Sequence, residues 1–316
     1  MFGYTGSGPY CYTNSLAMLL GPAAPSTTVL ETLTGSAFGA ELIAGELPFF
    51  SPYGWDPELG LDAAVDLLGW RCERTAGGTA EQAVERLRRA CAEGGPVLAG
   101  PVDMGLLLYQ PGTPNADGGD HYVVVLEVGE DGTVLLHDPH GHPYATMPLD
   151  AFTAAWAGDS VAYTAEPYVL RSGFVREREV GTEEALRASL PGAVRWLAGR
   201  QELRMPPGSL GGEAALEALA RQVEAGLAPG VRDLLQHFGV RVAARRLADA
   251  ASCLALLGLA EAAAEAAGQA RALGGLQYPV VTGDDAALAA GLRRLAPGYA
   301  RLRRALEAAL ADGAAA

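Results

Sequence analysis

Lysine is missing from this chain: all 23 basic residues are arginine, a bias better ascribed to a GC-rich coding sequence than to function. The absence still excludes one motif. Gly3, Gly6 and Gly8 punctuate the N-terminus as a phosphate loop would, but no lysine follows them and no strand precedes them. Long apolar runs are missing as well. No stretch reaches the roughly 18 to 20 uncharged residues of a membrane span, and the N-terminus lacks the basic region and apolar core of a secretory signal. A cytoplasmic protein without membrane association is the expectation. The four cysteines, Cys11, Cys72, Cys91 and Cys253, make no CxxC pair and no regular framework, which argues against a disulfide scaffold or a zinc knuckle. Cys72, Cys91 and Cys253 lie beside apolar residues and read as packed thiols. Basic charge is scarce in one half only: residues 1–170 hold 5 Arg against 21 Asp and Glu (−16), and residues 171–316 hold 18 against 16 (+2). The first half would repel phosphate and the second is nearly neutral, so no nucleic-acid partner is expected.

What is present suits a soluble globular protein: 316 residues, 49% hydrophobic and 19% charged, enough for two domains. Helical spacing is read over Tyr12–Leu20, Thr28–Leu33, Asp56–Leu68 and Thr79–Ala92, with Gly35–Tyr53 as an aperiodic loop. Strands are expected over Trp70–Arg74, Pro96–Val102, His121–Val128 (HYVVVLEV), Thr133–His137 and Ser160–Arg171, with a short helix over Leu149–Trp156 between the last two. The Gly129–Gly132 turn makes the third and fourth strands a hairpin. Past Arg171 strand signals vanish, and six helices are read: 182–201, 213–226, 230–238, 241–257, 260–273 and 284–310. The expected architecture is α+β over residues 1–172, helices first and antiparallel sheet later, followed by an all-α domain over 173–316.

Three residues of the first part fall in an order that carries chemistry. Cys11 stands where a Gly-rich loop turns into a helix, near unpaired amides and the positive end of the helix dipole, a setting that favours a thiolate. His121 heads the strongest strand, and Asp138 ends its hairpin partner. A cysteine nucleophile needs an imidazole within reach of its sulfur and a carboxylate on the other ring nitrogen, and adjacent antiparallel strands bring His and Asp side by side. Asp103, at the end of the Pro96–Val102 strand, is a further candidate as a carboxylate for an amine or ammonium group, with a turn or cap role as its alternative. The run His137-Asp138-Pro139-His140-Gly141-His142 invites a metal reading, but His137 and Asp138 would face opposite sides of a strand and the remainder would fall in a turn. No metal is expected. The four tryptophans read as core or pocket wall.

The pieces GYTGSGPYCYTNSLAMLL, GPVLAGPVDMGLLLYQP, GGDHYVVVLEV and LLHDPHG resemble papain-like cysteine enzymes of the bacteriocin-leader-peptidase kind. They are more closely similar to the butirosin-biosynthesis acyltransferase family. The likeness lies in residues 3–20 and 96–139, and the helical half matches in general character. It implies a papain-like domain that moves an acyl or aminoacyl group from a carrier-protein thioester, through an acyl-cysteine, to an amine in natural-product biosynthesis. Cys11 would be the nucleophile, His121 the base and Asp138 its orienter. No cofactor of the enzyme's own is implied beyond the phosphopantetheine of an acyl carrier protein. One departure stands out. Papain-like proteases place a Gln before the cysteine for the oxyanion hole, and Thr5 to Tyr10 offer neither Gln nor Asn. The Cys11 amide would need another donor, with Ser7, Thr5 or a backbone N–H of the glycine run as candidates.

Arginines cluster at 241, 245 and 246 and along 293–304. Solvated helix faces explain most such runs, but a basic face would also steer an acidic carrier protein. Two other functions stay open: the same triad acting as a peptidase, amidase, thioesterase or chain-releasing cyclase, and a non-catalytic module that binds a carrier or peptide. The lack of a signal or pro-segment before Cys11 disfavours a secreted protease.

Overall fold

A computed structural model of the protein describes residues 10–112, 115–116 and 118–315. In chain order its first elements are α1 (Cys11–Leu20), α2 (Thr27–Leu33), β1 (Glu41–Ile43), β2 (Leu47–Phe49), α3 (Pro57–Leu67), β3 (Trp70–Thr75) and α4 (Ala80–Gly94). Next come β4 (Val97–Asp103), β5 (Asp120–Val128), β6 (Thr133–Asp138), β7 (His142–Pro148), α5 (Leu149–Trp156) and β8 (Leu170–Arg176). The rest is helical apart from one short strand: α6 (Thr182–Ala198), β9 (Leu210–Gly211), α7 (Gly212–Ala225), α8 (Pro229–Leu234), α9 (Val240–Leu256), α10 (Ala260–Gly274), α11 (Gln277–Thr282), α12 (Asp285–Leu295) and α13 (Gly298–Ala315).

These elements gather into two compact units, and neither is continuous in sequence. One holds residues 10–27 and 68–179, and the other holds Thr28–Leu67 with residues 180–315. The first is built on a six-stranded antiparallel sheet of order β3-β8-β4-β5-β6-β7. Its centre is β5, whose Val123 and Val125 are fully buried beside Val97 and Ala99 of β4 and Leu136 of β6. Val is stiff at χ1 and packs well on a pleated surface, so a Val-rich run makes a central strand. Ala83 and Leu87 of α4 and Phe152 and Trp156 of α5 close this core, each fully buried Val, Leu or Phe contributing roughly 1.5–3 kcal/mol. A capping box, Thr79 with Gln82, starts α4, and the Trp156 indole donates to the Val169 carbonyl at 2.7 Å, tying α5 to the approach of β8.

In the second unit β2, β1 and β9 form a small antiparallel sheet. Helices α9 and α10 pack as a hairpin, and α7, α12 and α13 lie against one another. A buried ion pair pins α2 to α9: Arg246 Nε donates to Glu31 Oε1 at 2.8 Å, the Ser36 hydroxyl donates to the same oxygen at 2.9 Å, and the guanidinium lies over the Trp55 ring. Residues 235–239 form one π-turn that carries α8 into α9 without a break.

The expected α+β character and the helical C-terminal part are present, but the partition differs from a single cut after residue 172. The break falls at 179/180, and Thr28–Leu67 joins the helical unit because β1 pairs with β9 and Glu31 pairs with Arg246. The aperiodic stretch Gly35–Tyr53 contains β1 and β2. The strand expected over Ser160–Arg171 begins only at Leu170 and runs to Arg176, because 160–169 turn through local bonds such as Val161 N–H to Gly158 O and Thr164 N–H to Val161 O. The expected turn after Asp138 closes at Gly141, and β7 follows it. The long last helix is two, broken at Pro297, whose ring cannot continue the helical hydrogen bonding.

Candidate active site

All the side chains of the expected triad lie in the sheet unit, and the fold brings them together. Cys11 is the first residue of α1, and Tyr10 at the N-cap offers no side-chain cap. The first-turn amides therefore lack intrahelical acceptors, and the sulfur sits at the positive end of the helix. Helix α1 is fixed against β5 by the Ser15 hydroxyl, which donates to the Tyr122 carbonyl at 3.1 Å, and by an edge contact between the Tyr12 and Tyr122 rings. That docking sets Cys11 beside the head of β5, where its thiol interacts with His121 and favours the charged imidazole.

Strand parity supplies the third member. In the β5–β6 register Val124 opposes His137, so residues 121 and 123 share a face with Asp138 while His137 points to the other. The contact follows: His121 Nε2 donates to Asp138 Oδ1 at 2.7 Å, which leaves Nδ1 for the thiol. His137 instead accepts from the Tyr144 amide at its Nδ1 and packs on the Tyr144 ring.

Asp138 is surrounded by donors. Oδ1 takes the His121 imidazole and the His140 amide, each at 2.7 Å, and Oδ2 takes the Tyr109 hydroxyl at 3.0 Å and the Gln110 amide at 2.7 Å. Four donors match the four lone-pair positions of a carboxylate. Burial alone would push this acid up; the hydrogen bond and charge of His121, then the His140 amide and Tyr109, outweigh it and hold Asp138 at about 2. Burial likewise opposes a charged His121. The Asp138 hydrogen bond, the hydrogen bond and charge of Cys11, and the Asp138 charge reverse that and raise His121 to about 10. Both shifts favour the imidazolium–carboxylate form of the pair.

Asp103 has the structural role. It is buried at the end of β4, and its Oδ1 accepts from the Gly105 amide at 2.8 Å, capping a short 3₁₀ turn, Met104–Leu106. Its Oδ2 accepts from the Ser160 hydroxyl and from the Gly118 amide at 3.4 Å. Both oxygens are engaged by its own chain, in the cap role that stood beside the amine-binding one. Thr5, Ser7 and the glycine run lie outside the described residues. Among the described residues no group of three or more His, Cys, Asp or Glu side chains could hold a metal ion. Cys253 is buried, its thiol pushed up to about 11 by burial, and the half-buried Cys91 is raised to about 11 by the same cause.

Sequence reading missed Tyr109, Gln110 and His140, whose ring lies 5.8 Å from that of His121. Only the place of Tyr109 and Gln110 just past a capped strand end hinted at them. The arginine clusters are largely spoken for. Arg293 forks onto Glu224 at 2.5 and 2.7 Å, Arg301 onto Glu265 at 3.1 Å, and Arg303 and Arg246 pair with Glu307 and Glu31. The helices carry mixed charge here more than a basic face.

Residues 206–307 match the family model described as the YobF C-terminal domain. An uncharacterized protein YobF from Bacillus subtilis (strain 168) is 33% identical over 165 residues, which cover 52% of this chain and 53% of that relative. The chain thus spans about half the length of the curated relative it matches.

Proposed function

We propose that the protein is an acyltransferase that works through an acyl-Cys11 thioester, with a thioester as donor and an amine as acceptor. One observation carries this reading: Cys11 at the start of a helix, in interaction with a His121 that is hydrogen-bonded to Asp138. An imidazolium beside the sulfur supplies the charge that a thiolate needs at neutral pH. The thiolate attacks the donor carbonyl, the tetrahedral oxyanion draws on first-turn amides such as that of Cys11, and its collapse expels the donor thiol, which takes a proton from His121. His121, now neutral, accepts a proton from the attacking amine, and the second tetrahedral intermediate collapses to the amide, breaking the C–S bond and releasing the Cys11 thiolate. Asp138 keeps the ring in one tautomer throughout.

The choice of an acyl carrier protein's phosphopantetheine thioester as donor, and of natural-product biosynthesis as setting, rests on the resemblance of residues 3–20 and 96–139. The papain-like assignment rests on the same residues together with the helix-borne sulfur and the sheet-borne His and Asp. Intact-mass measurement after incubation with acyl thioesters tests the reading. A single acyl adduct located at Cys11, discharged by amines and absent from Cys11→Ala, is the expected result. Activity retained by Cys11→Ala, with no adduct on the wild type, overturns it. Discharge by water alone would make the protein a hydrolase with the same triad.

A further inference from the structure

The side of Asp138 that faces away from His121 is built with as much care as the side that faces it. Oδ2 takes two neutral donors, the Tyr109 hydroxyl and the Gln110 amide, from consecutive residues. Adjacent side chains seldom converge on one atom, and here the local chain is shaped to make them do so. Asp103 caps the 3₁₀ turn that begins this segment, Leu107 N–H bonds back to Met104 O, and Gln110 N–H bonds back to Leu107 O, so residues 103–110 wind as a compact unit. Gly105 is required there, since a Cβ would collide with the carbonyl oxygen of Asn115. The Tyr109 ring is braced on its flank by His142, 5.6 Å away at the head of β7.

We propose that Tyr109 and Gln110 are positioning residues that form a neutral clamp on the outer oxygen of Asp138, fixing its rotation toward His121 and keeping it ionised. This rests on the triad reading above. A carboxylate held by one oxygen alone can swing about its Cβ–Cγ bond and lose the imidazole; two donors on the second oxygen lock that rotation. Their neutrality matters. A cation there would compete with His121 for the charge of Asp138, whereas O–H and amide N–H groups stabilise the anion and leave it to the imidazolium. The titratable side chains near this pair are Cys11 from α1, Tyr109 from the capped segment, His140 in the turn after β6 and His142 on β7. Asp120, next to His121 on β5, accepts instead from the Tyr163 hydroxyl at 2.8 Å. Asp103 thereby acquires a role at the site, as the cap beneath the clamp.

The clamp predicts how Cys11 reactivity fades in acid. Once Asp138 takes a proton, the imidazolium loses its partner and the thiolate population falls. With the clamp intact that happens only in strong acid. The test is the rate of iodoacetamide alkylation of Cys11 against pH in the full-length protein, read by peptide mapping because Cys72, Cys91 and Cys253 are also free thiols. Gln110→Glu sets a second carboxylate against Oδ2, and the two acids then share a proton, so the acid limb moves to higher pH by about one unit or more. Gln110→Met and Tyr109→Phe each remove one donor and move it the same way by less. If Gln110→Glu does not fold, Tyr109→Phe, which deletes one oxygen from a retained ring, decides the matter. An activated wild-type Cys11 whose acid limb is unmoved by these variants overturns the clamp and leaves the triad standing. Gln110→Met and Gln110→Glu behaving alike overturns it too, because that is what simple packing would give. A wild-type Cys11 alkylated like an ordinary thiol of pKa about 8.5 overturns the triad and the clamp together.

Discussion

Each of the two units buries a carboxylate to the same depth, and the two acids end in opposite states. Asp138 in the sheet unit and Glu41 in the helical unit are both 3% exposed. Asp138 has four donors, one of them an imidazolium, and stays ionised at about 2. Glu41 has two neutral ones, the Ser51 hydroxyl at 3.1 Å and the Gly54 amide at 3.0 Å. Burial dominates there and, with the nearby charge of Asp56 adding to it, lifts Glu41 to about 8 against the softer pull of Gly54 and Ser51. Low exposure alone therefore does not set the direction of the shift; the partners turn it. Glu31 of the helical unit also has a charged partner, the Arg246 guanidinium at 2.8 Å. In the sheet unit the buried carboxylate faces a titratable base, whereas in the helical unit the carboxylate of Glu31 faces a guanidinium that joins α2 to α9.

Substitutions that remove one partner at a time would sharpen this contrast. The largest effect is expected from Asp138→Asn, which keeps the shape but removes the charge and the tautomer preference of His121. Acyl loading of Cys11 should fall by about 10⁴-fold, measured in single turnover, with the fold intact by circular dichroism. Next is Arg246→Met, which leaves Glu31 charged, buried and without its guanidinium. Urea unfolding should show a loss of about 3–5 kcal/mol, largely recovered when Glu31→Leu is added. A small loss in the single variant would break the comparison by showing that the pair is incidental.

The smallest effect concerns Glu41 and appears as a slope. The folded protein holds this proton to about 8, whereas an unfolded glutamate releases it near 4.5. Folding takes up a proton in that interval, so stability falls as pH rises from about 4.5 to about 8 and then levels off. Glu41→Gln keeps an acceptor for Gly54 and has no charge to desolvate. Its stability should not carry this slope, the difference growing by at most about 1.4 kcal/mol per pH unit. Parallel stability curves for the two proteins would show that Glu41 is ionised when buried.

The grouping of Cys11, His121 and Asp138 was legible in the sequence because each sits where a pattern changes: Cys11 at a loop-to-helix junction, His121 at the head of a Val run, Asp138 at the end of its hairpin partner. The α5 span, Leu149–Trp156, and the β5–β6 hairpin were legible for the same reason, being periodic and bounded by turn residues. Tyr109 and Gln110 were not, since their convergence depends on a capped turn with no period. Strands β1 and β2 are three residues each, too short for an alternation to register, and β7 (HPYATMP) holds two prolines and shows no polar–apolar alternation, with Met147 its one buried residue. The interleaving of the two units was hidden for a different reason. Nothing local to Thr28–Leu67 says that its partners lie beyond residue 180.

That interleaving bears on synthesis at the ribosome. Glu31 and Arg246 are separated by 215 residues, so at translation rates of about 5–20 residues per second some 10–40 s pass before the carboxylate meets its guanidinium. When residue 179 has been made the whole of the sheet unit exists, while α2 and the strand at Glu41 still have neither α9 nor β9 to pack on. The sheet unit can therefore fold while that early segment is still waiting, and the helical unit matures only after its own last helices emerge.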